Sequence, residues 1–173
     1  YVIYHPLTEG YYSEFGGDRP PVDKDKDRLR DLPGAQAEGE AVAALLEGAG
    51  YHVERAHEES RAADVIGGLF RQPYRLLVVA AHGMFEVRDR RGRARSGVVL
   101  SDGLMLTAAE VGQMEVVPEL VVLSCCQLGK DGPEAGWAPN KLAYSLAREL
   151  IEIGVRCVVA AGWEVDDEAA RTF

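Results

Sequence analysis

The chain has 173 residues, 47% of them hydrophobic and 27% charged, with a net charge of −9 from 28 acidic and 19 basic side chains. That length supports one hydrophobic core, the composition is ordinary for a globular domain, and the excess of carboxylates disfavours a nucleic-acid-binding surface. No apolar run approaches the roughly 18 residues needed to span a bilayer, so no membrane association is expected. Tyr1 to Pro6 carry neither the basic stretch nor the cleavage site of a signal peptide. The cysteines are Cys125, Cys126 and Cys157. An odd number with two adjacent is not a disulfide framework, and a reducing, cytoplasmic setting is the simpler reading.

In chain order, residues 1–5 are short and β-prone. Residues 6–34 are rich in Gly, Pro and charge, including the run Asp23-Lys24-Asp25-Lys26-Asp27-Arg28, and read as a flexible polar loop. From 35 to 49, Ala37, Val42, Leu45 and Leu46 recur at helical spacing before Gly48 and Gly50. Residues 51–54 suit a strand, and Ser60 suits the N-cap of a helix over roughly 61–69. Residues 75–81 form a strand that is continuously apolar after Arg75, the mark of a strand covered on both faces, and His82-Gly83 follows at once.

Residues 84–96 carry Arg88, Arg90, Arg91, Arg93 and Arg95 and read as an exposed loop. It suits contact with an acidic substrate or another domain, or gating of access. A short strand at 97–100 follows, then a capping box at Thr107 to Glu110 that starts a helix. Strand 119–124, loop 129–138, helix 140–151 and strand 155–160 come next. Leu142, Leu146 and Leu150 share one helical face. Asp166 or Asp167 caps a last helix. Alternating strands and helices with buried-type strands predict an α/β fold with a mostly parallel sheet. The chain starts within a strand-like stretch and stops within a helical one, so it reads as one domain, 1–173, cut at both ends from a longer protein.

In such a sheet the functional crevice lies at the carboxyl ends of the strands. His82 follows one apolar strand, and Cys125 and Cys126 end another. Parallel neighbours would bring imidazole and thiol to the same edge, as a cysteine nucleophile with its base requires. Cys126 lies further into the expected turn, where backbone N–H groups can face an oxyanion; Cys125 reads as a small apolar filler. The separation of His82 and Cys126 is close to the roughly 50 residues between histidine and nucleophile in caspases. The plain alternatives are a histidine satisfied at a strand end and cysteines buried as filler. A zinc site from His82, Cys125, Cys126 and Cys157 is disfavoured because adjacent cysteines suit tetrahedral ligation badly and no paired-ligand spacing is present. His5, His52 and His57 read as surface or core residues. Nucleotide-binding glycine motifs and Gly-x-Ser-x-Gly are absent from the sequence, so no cofactor is expected.

Several stretches together resemble the CHAT domain, a bacterial and eukaryotic relative of caspases and separases. They are Leu32-Pro33-Gly34-Ala35 with Glu38, Ala80 to Phe85, Gly97 to Gly103, Leu106 to Val111, Glu119 to Cys126, and Gly154 to Asp167. The resemblance implies a caspase-like three-layer sandwich and a cysteine endopeptidase with a His82–Cys126 dyad, free of metal or organic cofactor. It also implies a protein or peptide substrate, and regulation by other domains of the same chain. Cys125 stands where the family usually has alanine, and Gln127-Leu128 where Glu-Thr often follows. Trp163 and Asp167 match the closing segment, with Glu164 replacing a proline. The backbone N–H groups of Gly83 and Cys126 are the oxyanion candidates. Asp102 can orient His82, shape the substrate pocket or close a turn with Gly103. Asp166 and Asp167 can instead line an acidic pocket for a basic P1 side chain. The alternative reading is a catalytically silent CHAT-like binding module.

Overall fold

Three apolar runs of the sequence, at 76–81, 120–123 and 157–160, become neighbouring strands of one sheet in the computed structural model, which describes residues 1–16, 27–127 and 141–160, with backbone alone at 126, 127 and 141. The strands are β1 (Val2–Tyr4), β2 (Arg55–Ala56), β3 (Leu76–Arg88), β4 (Ala94–Val99), β5 (Met105–Leu106), β6 (Leu120–Gln127) and β7 (Cys157–Ala160). The helices are α1 (Tyr11–Phe15), α2 (Pro33–Gly48), α3 (Ala62–Leu69), α4 (Ala108–Gly112) and α5 (Lys141–Glu152). Strands β2, β1, β3, β6 and β7 lie side by side in that order, all parallel, while β4 adds antiparallel to the far end of β3 and β5 adds antiparallel to β4. Among the described residues no helix is long and apolar enough to cross a membrane.

Alternation along β3 explains its unbroken apolar run. Leu77, Val79 and Ala81 enter a large cluster with Val121 and Leu123 of β6 and side chains of α3, α4 and α5. Val78 and Ala80 point the other way, into a cluster with Val2, Tyr4 and α2. With helices on both faces, neither set of strand residues can be polar. The result is the expected caspase-like α/β sandwich.

Helix α2 opens with Pro33, whose missing N–H costs nothing in the first turn. Its buried stripe is Ala35, Gly39 and Ala43, not the larger residues that periodicity suggested; Val42 and Leu46 are only partly buried and Leu45 is 74% exposed. The reason is close approach. A Cβ on Gly39 would lie 2.2 Å from Cγ of Tyr4, so the Tyr4 ring occupies the space over that glycine.

Other expectations need correcting. The segment 6–34 is not simply a solvated loop: it contains α1, and Tyr11, Leu29 and Leu32 are buried. Its two described arms are tied together, the Leu29 N–H donating to Thr8 Oγ1 at 3.0 Å and the Gly10 N–H to the Asp27 carbonyl at 2.7 Å. Of the charge run, Asp27 accepts from the Ser13 N–H and Arg28 pairs with Asp31; positions 23–26 lie outside the described residues, as do the expected loop 129–138 and last helix. Residues 51–54 form no strand. The strand is Arg55–Ala56, held short because its partner β1 spans only three residues. Ser60 accepts from the His57 N–H, and the N-cap of α3 is Arg61 instead, with the Ala62 N–H donating to Ser101 Oγ. The capping box of Thr107 and Glu110 is formed as expected.

The arginine-rich stretch is a hairpin, not a loop. Strand β3 runs on to Arg88 and returns as β4, with Arg88 opposite Ala94 and a bulge between Met84 and Val87. Asp89 organises the tip. Its side chain is 1% exposed and accepts from the N–H groups of Arg91 and Arg93, both at 2.9 Å, and from Arg93 Nε at 2.7 Å. Burial pushes the Asp89 carboxyl up, but these N–H donors and the Arg93 guanidinium outweigh it and hold the group below its usual range.

Two outcomes follow from this packing. Gly39→Ala lowers stability by about 1–3 kcal/mol in chemical denaturation, because overpacking against Tyr4 exceeds the gain in helix propensity. For Asp89 the folded acidity is stronger than the unfolded, so its stabilisation is full above the ordinary carboxylate value of about 3.9 and fades as pH falls through the folded value. Thermal melts of wild type and Asp89→Asn therefore differ at neutral pH and converge in strong acid; a gap unchanged at about pH 2 contradicts this account.

Candidate active site

The ladder between β3 and β6 sets the site. It aligns Ala80 with Ser124, Ala81 with Cys125, His82 with Cys126 and Gly83 with Gln127. Neighbouring strands lie about 4.8 Å apart, and aligned residues of a parallel pair occupy the same face. His82 shares the parity of Val78 and Ala80, on the α2 face. Cys126 has the parity of Val122 and Ser124 on that face, whereas Cys125 has the parity of Val121 and Leu123 and packs against the larger cluster. The Cys125 thiol lies 3.9 Å from the Val79 carbonyl oxygen. Strand pleating therefore separates the two adjacent cysteines, and puts position 126 beside the histidine.

Both residues sit inside strands, not in the turns expected for them. β3 continues six residues beyond His82, and β6 continues through Gln127. The pairing is broken instead on the other edge of β3. Its pairing with β1 ends at Tyr4 opposite Ala80, and its pairing with β4 starts at Val98 opposite Gly83. Ala81 and His82 fall in the gap between those two partners. Gly83 is flanked by Val98 on one side and Gln127 on the other.

His82 is 2% exposed, and its Nε2 lies 2.7 Å from the Arg30 carbonyl oxygen. A carbonyl only accepts, so Nε2 carries the proton and donates it there. That hydrogen bond fixes the ring orientation and makes Nδ1 the basic nitrogen of the neutral imidazole. The segment that supplies this carbonyl is clamped on both sides. Leu29 is held by Thr8, and the Leu32 N–H donates to His5 Nε2 at 3.2 Å. His5 terminates β1 with φ of 45° and donates its own N–H to the Ala80 carbonyl at 2.9 Å. Sequence reasoning missed both contributions. A main-chain carbonyl leaves no mark in a sequence, and nothing in the sequence distinguishes His5 from an ordinary surface or core residue.

On the same face, Ser124 donates its hydroxyl to Glu38 Oε2 at 2.9 Å, joining β6 to α2 one pleat from Cys126. Asp102 sits in the turn between β4 and β5. Asp102 and Gly103 have φ of 59° and 66°, the mirror-image turn that suits Asp-Gly in a hairpin, and the Leu104 N–H donates to the Ser101 carbonyl at 3.1 Å. The Asp102 carboxylate accepts from the Ser101 hydroxyl and lies 3.7 Å from Arg61. The structure thus places Asp102 in a turn-closing position. Asp166 and Asp167 lie outside the described residues. Cys157 is aligned with Leu120, six strand positions before Cys126, or roughly 20 Å along the sheet. His82, Cys125, Cys126 and Cys157 therefore do not gather as one ligand set.

No curated protein and no solved structure matches the chain significantly. A family model does: the CHAT domain, matched over residues 16–173. That span takes in α2 with Glu38, the whole of β3 with His82, and β6 with both of its cysteines, and the chain is accordingly a member of the CHAT domain family.

Proposed function

We propose that this domain is a cysteine endopeptidase acting through His82 and Cys126. The observation that carries the reading is the register of β3 and β6 combined with the Nε2 bond to Arg30: a histidine held in one orientation, with Nδ1 as the nitrogen that can accept a proton in the neutral ring, in register with a cysteine position on the same sheet face. Cys126 gives its proton to His82 Nδ1, and the sulfur attacks the scissile carbonyl carbon. The tetrahedral oxyanion is met by backbone N–H groups near Gly83 and Cys126. When the C–N bond breaks, the imidazolium returns the proton to the leaving amine and leaves an acyl-enzyme. Water, deprotonated by the same imidazole, releases the acid and restores the thiol. The Arg30 carbonyl stabilises the imidazolium through Nε2–H and keeps the ring from turning away. A protein partner is the substrate, and other domains of a longer chain regulate access.

One observation favours a second reading, a silent CHAT-like binding module. Strand β6 remains paired through Gln127, where a nucleophile at a tight turn would have freer backbone donors nearby.

Residue-resolved alkylation separates the two. Dilute iodoacetamide applied from about pH 5 to 9 labels Cys126 below the ordinary thiol range of about 8.5, and His82→Ala removes that early labelling. Cys126 reacting no faster than the exposed Cys157 counts against a coupled pair and for the silent module. On a positional-scanning peptide library, Cys126→Ala reduces cleavage at least about 1000-fold, while Cys125→Ala stays within several-fold of wild type. Equal losses at the two cysteines contradict the assignment that pleating makes.

A further inference from the structure

Five arginines and one aspartate occupy residues 88–95 in a chain whose net charge is −9. The aspartate is consumed internally: Asp89 is buried at the tip and paired with Arg93. Arg88, Arg90, Arg91 and Arg95 have no carboxylate within ion-pair distance among the described residues. Arg88 and Arg90 do make one bond each, to the carbonyls of Gly92 and Ser13. Those bonds brace the hairpin against itself and against α1, and most of each guanidinium fork remains for an outside partner. Arg88, Arg90 and Arg91 are exposed and Arg95 is half-buried.

We propose that the β3–β4 hairpin is a docking site for an acidic stretch of the polypeptide substrate. Guanidinium forks match carboxylates bidentately, and a tip already held by Asp89 loses little freedom when it binds. A short run of Asp or Glu meets the local positive field; a long polyanion must also approach the surrounding negative surface. The tip offers no aromatic ring for base stacking, the usual companion of arginine in single-strand binding. Strand β3 carries His82 and Arg88 on one continuous element, six residues or about 20 Å apart. An acidic stretch docked there sits about six or more extended residues from the scissile bond. That the docked polypeptide is a substrate rests on the peptidase reading; the docking itself does not.

The test is fluorescence anisotropy with fluorescein-labelled octaglutamate, with an octamer of deoxythymidylate as the competing chemistry. Arg88→Gln/Arg90→Gln/Arg91→Gln/Arg95→Gln keeps Arg93 and Asp89, so the hairpin retains its own fastening. Arg71→Gln/Arg75→Gln/Arg148→Gln/Arg156→Gln removes the same charge elsewhere. We expect salt-sensitive binding of octaglutamate by the wild type, weakened at least about 10-fold in the hairpin variant and less than about 3-fold in the control. Absence of binding to the wild type, equal losses in the two variants, or tighter binding of the nucleotide octamer overturns the proposal. Cys126→Ala is measured alongside. That variant is expected to bind octaglutamate as the wild type does; octaglutamate binding by a wild type that cleaves no library peptide sinks the peptidase reading alone, whereas wild-type cleavage without octaglutamate binding sinks the docking site alone.

Discussion

The parallel ladder between β3 and β6 is the constraint on which the rest depends, since it sets at once which side chains are core and which residue faces His82. Eight aligned pairs run from Leu76 with Leu120 to Gly83 with Gln127. A slip of one residue would invert the pleat of β6 relative to its neighbour. Val121 and Leu123 would leave the larger cluster, Ser124 would leave Glu38, and Cys125 would take the place of Cys126. The burial of two apolar side chains therefore holds the cysteine position in line, and the site inherits its precision from the core instead of from a loop.

Strand β3 does a second job that its length makes possible. One of its edges is shared in sequence by β1 and then by β4, and the change of partner leaves a gap at Ala81 and His82. The segment carrying Arg30 reaches His82 at this point, and it is held by Thr8 on one side and His5 on the other. Both of those anchors come from the chain just around and beyond β1. The arms of the segment once expected to be a flexible loop thus position the ring of the central histidine. Beyond the gap, β3 emerges as the arginine-bearing hairpin, so His82 and the basic tip are carried on one strand.

Where local pattern and packing agree, the elements could be read directly. The apolar runs ending at Ala81 and Ser124 had to be strands packed in the sheet, because a strand open to water does not tolerate that composition; the run ending at Ala160 is a strand too, but Cys157 and Val159 are exposed among the described residues. The Thr107–Glu110 box needed only its own four residues to form. The misses share a different cause. Ser60 and Arg61 were equally near the start of α3, and the choice fell to Ser101, distant in sequence, whose hydroxyl takes the Ala62 N–H. Leu45 was assigned inward by periodicity, yet the Tyr4 ring over Gly39 turned the smaller stripe of α2 toward the sheet. Residues 84–96 look like a loop because arginines dominate them; the single buried Asp89 that closes the hairpin is invisible to composition.

From the order of residues alone came the α/β class, the mostly parallel character of the sheet, one strand ending in a histidine and another in cysteines, and the resemblance to the family. These follow from apolar periodicity and short motifs, which are local properties. The separation of Cys125 from Cys126, the Arg30 carbonyl on His82, the anchoring role of His5 and the turn position of Asp102 came only from the folded chain. Each depends on which strands become neighbours and in what register, and that choice is made by the burial of side chains scattered from Val2 to Val155, not by any residue near the site.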